Sequence, residues 1–285
     1  MKCRFKKSVL LLIPLIILTS CGRLYNSQNI SRQTQHIQQS ARTSTKVFNY
    51  QKYASILREY VDEQGLVDYK KLKENRQKLD EFNATIGAVT HSQYNAWTDP
   101  EKIAFLINAY NSFTLEAIID NYPTQSIKNI PGVWRVRRFD FVGENLTLDH
   151  IEHQILRQEF NQPGIHVALV CAAKSCPLLR TEPYTGEKLA SQLDDQARKF
   201  MANNQNFRID RQEKTVYLSA IFKWFGEDFE QTYGKNQNID GLNSKETAVI
   251  NYISQYVTSE QRKYLEMRNY QVKYLDYDWS LNVQN

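Results

Sequence analysis

The sequence predicts an α+β fold: one domain over residues 48–285, with a central buried helix, antiparallel hairpins and peripheral helices. Three observations carry that reading. Residues 99–120 are apolar on both sides of a helical wheel, Ile103, Leu106, Ile107, Tyr110, Phe113 and Ala117 on one and Ala104, Phe105, Leu115 and Ile119 on the other, which puts this helix at the centre. Short β-favouring runs come in adjacent pairs around turn residues, as hairpins do. Helices and hairpins fall in separate blocks, unlike the regular alternation of a parallel βαβ sheet.

The chain opens with Lys2, Arg4, Lys6 and Lys7, followed by an apolar run at 9–18 that contains Pro14. A helix that spans the hydrocarbon core needs roughly twenty apolar residues, so residues 1–20 read as a signal peptide. Leu18-Thr19-Ser20-Cys21-Gly22 resembles the bacterial lipobox, in which the cysteine is lipidated and the bond before it is cut; ordinary cleavage with a free Cys21 is the alternative. Several acyl chains on Cys21 would hold the protein firmly to a membrane. Residues 21–47 are rich in Ser, Gln, Asn, Thr and Arg and cannot bury enough surface to offset ordering, which predicts a flexible tether. The expected location is extracytoplasmic, lipid-anchored on the periplasmic side of the inner or outer membrane.

The net charge of +5 does not belong to the domain. Four of the 36 basic residues lie in the leader and four more (Arg23, Arg32, Arg42, Lys46) in the tether, leaving 28 against 31 acidic, a body of net charge −3. Such a body has no electrostatic footprint for a phosphate backbone, so nucleic acid is excluded as a partner. The membrane, through its lipid, is the expected partner, and the domain itself is expected to be a monomer. No P-loop or dinucleotide fingerprint is present, so no cofactor is expected.

Along the domain, residues 50–60 and 69–88 show helical spacing interrupted near Gly65 and predict two amphipathic, peripheral helices. Thr98-Asp99-Pro100-Glu101 combines a capping residue, a first-turn proline and a glutamate three residues after the cap, which starts the central helix. Residues 139–142 and 146–148 flank Gly143-Glu144-Asn145 as a hairpin, and 148–160 is helical. The apolar β-favouring run at 165–171 predicts a buried strand. Thr185-Gly186-Glu187 opens a helix to about residue 202, residues 207–210 and 215–219 form a second hairpin, helices follow at 221–232 and 246–267, and 272–281 ends the chain as a strand.

Several residues could carry chemistry. Asn108 and Asn111 share one face of the central helix, and buried amides need partners: a structural network that fixes loops, or a lining that orients a reacting group. Glu152 falls within the apolar stripe of Leu148, Ile151, Ile155 and Leu156, with His150 and His153 at its edge. A core-facing carboxylate marks either a site or a structural pairing. The two histidines could share a metal, but zinc sites need three or four ligands, so no metal is assigned. Cys171 and Cys176 bound a loop after the predicted strand, with Lys174 placed to favour a Cys176 thiolate. In an oxidising compartment the same pair is a candidate disulfide. On a strand His166 and Cys171 would face opposite ways, which makes His153 the better partner for a thiol.

The motifs 104–111 (AFLINAYN), 148–157 (LDHIEHQILR), 165–177, 184–186 and 222–229 (FKWFGEDF), together with 274–279, resemble the DUF547 family, most densely over 95–230. The sequence departs from the family pattern at His150 and Gln154. The family is by name one of unknown function, so the resemblance implies membership and a shared fold without a reaction. Two principal readings follow. One is a thiol-dependent hydrolase or acyl transferase of the cell envelope, with Cys176 as nucleophile, His153 as base and Glu152 or Asn108 as orienting group; a papain- or transglutaminase-like scaffold would suit it. The other is a non-catalytic binding or scaffold lipoprotein whose Cys171–Cys176 disulfide staples a loop over a buried network of Asn108, Asn111 and Glu152. A third, metal-assisted hydrolysis by Glu152, His150 and His153, is weaker.

Overall fold

In the central helix, α5, here Asp99–Asn121, Thr98 and Glu101 close the expected capping box at its start, and the buried residues run all round it. The computed structural model describes residues 47–234 and 241–284; the expected signal peptide, Cys21 and nearly all of the expected tether lie outside them. The fold is α+β. Around α5 lie α1 (Gln51–Tyr60), α2 (Tyr69–Glu74), α3 (Gln77–Gly87) and α4 (His91–Asn95). The helix expected at 69–88 is thus two, with a break at Asn75 and Arg76. These helices are less peripheral than expected, because Tyr53, Leu57, Leu79 and Phe82 are all buried in the core.

Strands β1 (Phe139–Phe141) and β2 (Glu144–Leu146) make the first hairpin. Its turn is tighter than the sequence suggests: Val142 and Gly143 both take positive φ, while Glu144 and Asn145 pair in the ladder. The helical run α6 then covers residues 148–159, as Leu148–His150, a π-helical Ile151–Leu156 and Arg157–Glu159.

The buried strand expected at 165–171 is not one. Pro163–Val167 is a 3-10 helix, and the chain continues through Cys171 without ladder pairing. The cause is a side chain. Asn111 Nδ2 donates to the Ala168 carbonyl at 3.1 Å and Asn111 Oδ1 accepts from the Val170 N–H at 2.9 Å. One amide from α5 supplies the donor and acceptor that a neighbouring strand would have supplied. A short apolar run cannot be told from other buried conformations by periodicity alone.

Helix α7 (Leu189–Ala202) leads to β3 (Phe207–Asp210) and β4 (Thr215–Leu218), paired antiparallel as expected. Helices α8 (Ala220–Phe225), α9 (Glu227–Tyr233), α10 (Ser244–Ile253) and α11 (Ser259–Glu266) then carry the chain back, so β5 (Gln271–Tyr274) joins β4 in parallel. The helix expected at 246–267 is divided by the Thr258–Gln261 capping box. The last strand is shorter than expected, and the residues after it stitch distant parts together through bridges Ala173–Leu281 and Val67–Val283.

Two apolar clusters result, one around α5 and one around α8, α10 and the three-stranded sheet. Helix α7 joins them, with Leu189 and Leu193 in the first and Ala197, Phe200 and Met201 in the second. Among the described residues no helix is long and apolar enough to cross a membrane.

Candidate functional site

At the junction of the two clusters lies a cleft of about 530 Å³. Ile130, Val133 and Leu169 come to it from the first cluster, Ile221 from the second, and Tyr277 packs against both. Its walls are aromatic. Trp224 stacks on Trp279 with centroids 5.9 Å apart, and Tyr277 sits against both, 4.9 Å from Trp224 and 4.6 Å from Trp279. Trp134 meets Trp279 edge-on. Trp224 is 44% exposed, an unusual position for an indole unless something covers it.

The polar groups of the cleft come chiefly from α6. Glu152 and His153 stand on its π-helical stretch, a local distortion often found at functional sites. Burial, reinforced by Glu152, pushes the Tyr110 phenol well above its ordinary value, and Trp134 also shares that hydroxyl. Tyr110 therefore stays protonated beside the carboxylate. Among the described residues Glu152 enters no ion pair, whereas Asp149 has Arg135 at 3.4 Å.

Next to this lies a charged cluster that the sequence does not foreshadow. Arg157 grips Asp228 through Nε at 2.6 Å and Nη2 at 2.9 Å, and His166 Nε2 lies 2.7 Å from the same carboxylate. Burial alone would raise the Asp228 carboxyl, but the hydrogen bonds from His166 and Arg157 outweigh it and hold the group well below the ordinary range. The His166 ring stacks on Phe225 at 4.2 Å, and the Arg157 guanidinium lies over the same Phe225 ring, 5.1 Å from its centroid.

Cys171 and Cys176 are joined as a disulfide with Cα atoms 6.2 Å apart, and both line the cleft. Ala172 between them takes a positive φ of 59°. The expectation that His166 and Cys171 face apart fails with the strand that justified it, since both reach the same cavity.

The proposed catalytic set is not assembled as such. His153 Nδ1 lies 2.9 Å from Arg157 Nη1. Arginine only donates, so that nitrogen is the acceptor and is already used, while Nε2 faces Asp149 at 3.8 Å. Among the described residues neither histidine of the cleft bonds to a sulfur. Asn108 is not an orienting group for it either: its amide clamps Tyr184, Nδ2 to the carbonyl at 2.7 Å and Oδ1 from the N–H at 3.0 Å. Asn108, Asn111 and Glu152 therefore serve three separate places, the two amides pinning loops and the carboxylate facing the cleft. Lys174 is exposed and its charge acts on the Asp278 carboxylate. His150 is exposed, and among the described residues no group of three or more His, Cys, Asp or Glu converges on a metal position, which removes the geometric basis for the metal reading.

Residues 94–201 match the DUF547 family, described as a protein of unknown function. No curated protein and no solved structure matches the chain. The matched segment supplies α5, α6, the cysteine loop and nearly all of α7, and with them Tyr110, Trp134, Glu152, His153, His166 and both sulfurs. Trp224, Phe225, Asp228, Tyr277 and Trp279 lie beyond the DUF547 match. The cleft is thus a product of the matched segment and the chain that follows it.

Proposed function

We propose that this protein is a cell-envelope lipoprotein whose DUF547 domain holds a ligand in the aromatic cleft, without itself acting as a cysteine hydrolase. The observation that carries this reading is the cleft wall: exposed Trp224 stacked on Trp279 and packed against Tyr277, beside a partly buried Glu152 that has no cationic partner among the described residues. Few convergent polar groups in a largely apolar cavity are what a small-molecule site needs. Rings that stack, acids that accept and the rim cations Lys128 and Arg135 suit a saccharide, whose ring has an apolar face and hydroxyl edges. With the Cys176 sulfur bonded to Cys171 and His153 engaged by Arg157, the nucleophile and base of the hydrolase reading are both occupied.

Tryptophan emission of the purified protein, titrated with an N-acetylglucosamine trimer and with a glucose trimer, tests the ligand. A saturable change with one of them, weakened at least tenfold in Trp224→Ala, is expected. A flat titration with both sugars would sink the saccharide assignment. The thiol-dependent hydrolase or acyl transferase retains one favourable observation, the presence of His166 and both sulfurs in one cavity; ester hydrolysis appearing only after reduction, and lost in Cys176→Ser, would restore it.

The anchor is tested separately. Cys21→Ala should abolish incorporation of a labelled palmitate and move the protein from the membrane to the soluble fraction. Unchanged labelling would exclude Cys21 as the lipidated residue.

A further inference from the structure

The Cys171–Cys176 bond closes a short loop that is already tied down without it. The Lys174 N–H reaches the Ser280 carbonyl at 2.9 Å and the Ser175 N–H the Asp278 carbonyl at 3.2 Å. Ser175 Oγ accepts from the Asp278 N–H at 2.9 Å, and the Asn282 N–H donates to the Ala172 carbonyl at 3.1 Å. A cross-link stabilises chiefly by restricting the unfolded chain, and least when the loop it closes is short. A sequence separation of five, within a segment zipped to the C-terminal residues, leaves this bond little structural work.

The sulfurs are placed for something else. They line the cleft, and they are unequal: Cys171 is partly exposed, whereas Cys176 is 4% exposed. Cys176 Sγ receives two donors, the Cys171 N–H at 3.0 Å and the Tyr277 hydroxyl at 3.1 Å, the latter also 3.3 Å from Cys171 Sγ. Burial, with Glu152 nearby, pushes the Tyr277 phenol well above its ordinary value, so it remains a donor. Hydrogen bonds to a charged group are stronger than to a neutral one. Both donors therefore favour a thiolate on Cys176 over its bonded form, and a stabilised leaving thiolate speeds exchange and makes a disulfide more oxidising.

We propose that Cys171–Cys176 is a working thiol–disulfide couple that oxidises a small-molecule thiol entering the cleft, with Cys171 as the attacked sulfur and Cys176 as the leaving one. The ligand thiolate forms a bond to Cys171 Sγ, the Cys171–Cys176 bond breaks, and its electron pair departs on Cys176 Sγ, held by the Cys171 N–H and Tyr277. A second ligand thiolate attacks the ligand sulfur of the mixed disulfide and releases Cys171. Two thiols become one external disulfide, their two electrons pass to the cysteine pair, and their two protons end on Cys171 and Cys176. This goes beyond ligand binding and does not depend on the saccharide assignment, since thiol exchange and sugar titration have separate readouts.

The test equilibrates the purified full chain, native, in reduced and oxidised glutathione at graded ratios, and counts thiols by the mass added with a maleimide. Reversible reduction is expected across the accessible ratios, with glutathione trapped on Cys171 in Cys176→Ser. In Cys171→Ser the alkylation rate of Cys176 should titrate below the ordinary thiol value of about 8.5. Adding Tyr277→Phe should move that profile upward and, in the otherwise native chain, make the disulfide roughly tenfold or more harder to reduce, the size of one hydrogen bond to a charged group. Circular dichroism identifies any variant that fails to fold, in which case Cys171→Ser alone decides. A disulfide intact at every ratio, or a Cys176 profile at the ordinary value, overturns the proposal.

Discussion

Replacing Asn111 with leucine is expected to lower the stability of the domain by roughly 3–5 kcal/mol. The side chain is 3% exposed and closes two hydrogen bonds with the backbone on either side of Leu169, to the Ala168 carbonyl at 3.1 Å and from the Val170 N–H at 2.9 Å. Leucine fills much the same volume, so little cavity is created. Two buried backbone groups, however, lose their partners, at about 1–3 kcal/mol each. For a domain of this size the loss corresponds to a fall in Tm of roughly 10 °C. The effect should be local as well as global, because the segment pinned by Asn111 runs straight into Cys171. Hydrogen exchange at Val170 should rise more than expected from the global change, whereas Asn108→Leu should release Tyr184 instead. If denaturant unfolding shows the Asn111 variant within 1 kcal/mol of the parent, the amide is not what holds this segment.

That amide also explains why part of the fold escaped the sequence. Helix α5 and both hairpins were legible because their signals are local: the Thr98–Glu101 box, the all-round apolar wheel, and paired short runs about a turn. Residues 165–171 carry a strand-like composition, yet two of their backbone groups are paired by a side chain 57 and 59 residues earlier. No local pattern reports that. The division of α10 from α11 had a local sign, Thr258 with Gln261 three residues on, that periodicity obscured.

The site divides in the same way. Glu152, His153, Cys171 and Cys176 were visible as polar or reactive residues inside apolar motifs, and all four line the cleft. The disulfide was one of the two readings of the cysteine pair, whereas the partners of His153 and Cys176 were not legible because they are remote. Arg157 engages His153 from four residues away but is itself fixed by Asp228, 71 residues on, and Tyr277 reaches Cys176 across 101 residues. The segments 222–229 and 274–279 were recognisable as motifs, and the fold is what gives them a role, as one wall of the cleft. For Asn108 the loop-fixing alternative is the one the structure shows, since a buried amide on a central helix looks the same in sequence whether it faces a ligand or a loop.

The charged cluster behind that wall should govern the response of the protein to acid. Asp228 is a fifth exposed, while the His166 side chain beside it is almost wholly buried. Its carboxyl is held below the ordinary value of about 3.9. A group whose folded pKa is depressed contributes stability above its unfolded pKa and loses it as pH falls through the folded one. The contribution of Asp228 is therefore complete at neutral pH, begins to fade near pH 4 and declines as the medium becomes more acidic. Asp228→Asn keeps the shape and removes the charge, leaving His166 without its anion and Arg157 with Glu227 alone. At pH 7 it should cost roughly 1–3 kcal/mol, less than a fully buried pair because water still reaches the carboxylate. The gap between parent and variant should then narrow below about pH 4, where the carboxylate of the unfolded parent takes up a proton that the folded one resists. Urea unfolding at pH 7, 5, 4 and 3 measures it. A gap that stays constant across that range would mean the cluster is held by packing on Phe225, with the ion pairs contributing nothing to stability. A loss confined to the Asp228 variant, absent in Glu227→Gln, would instead assign the effect to the carboxylate that both Arg157 and His166 share.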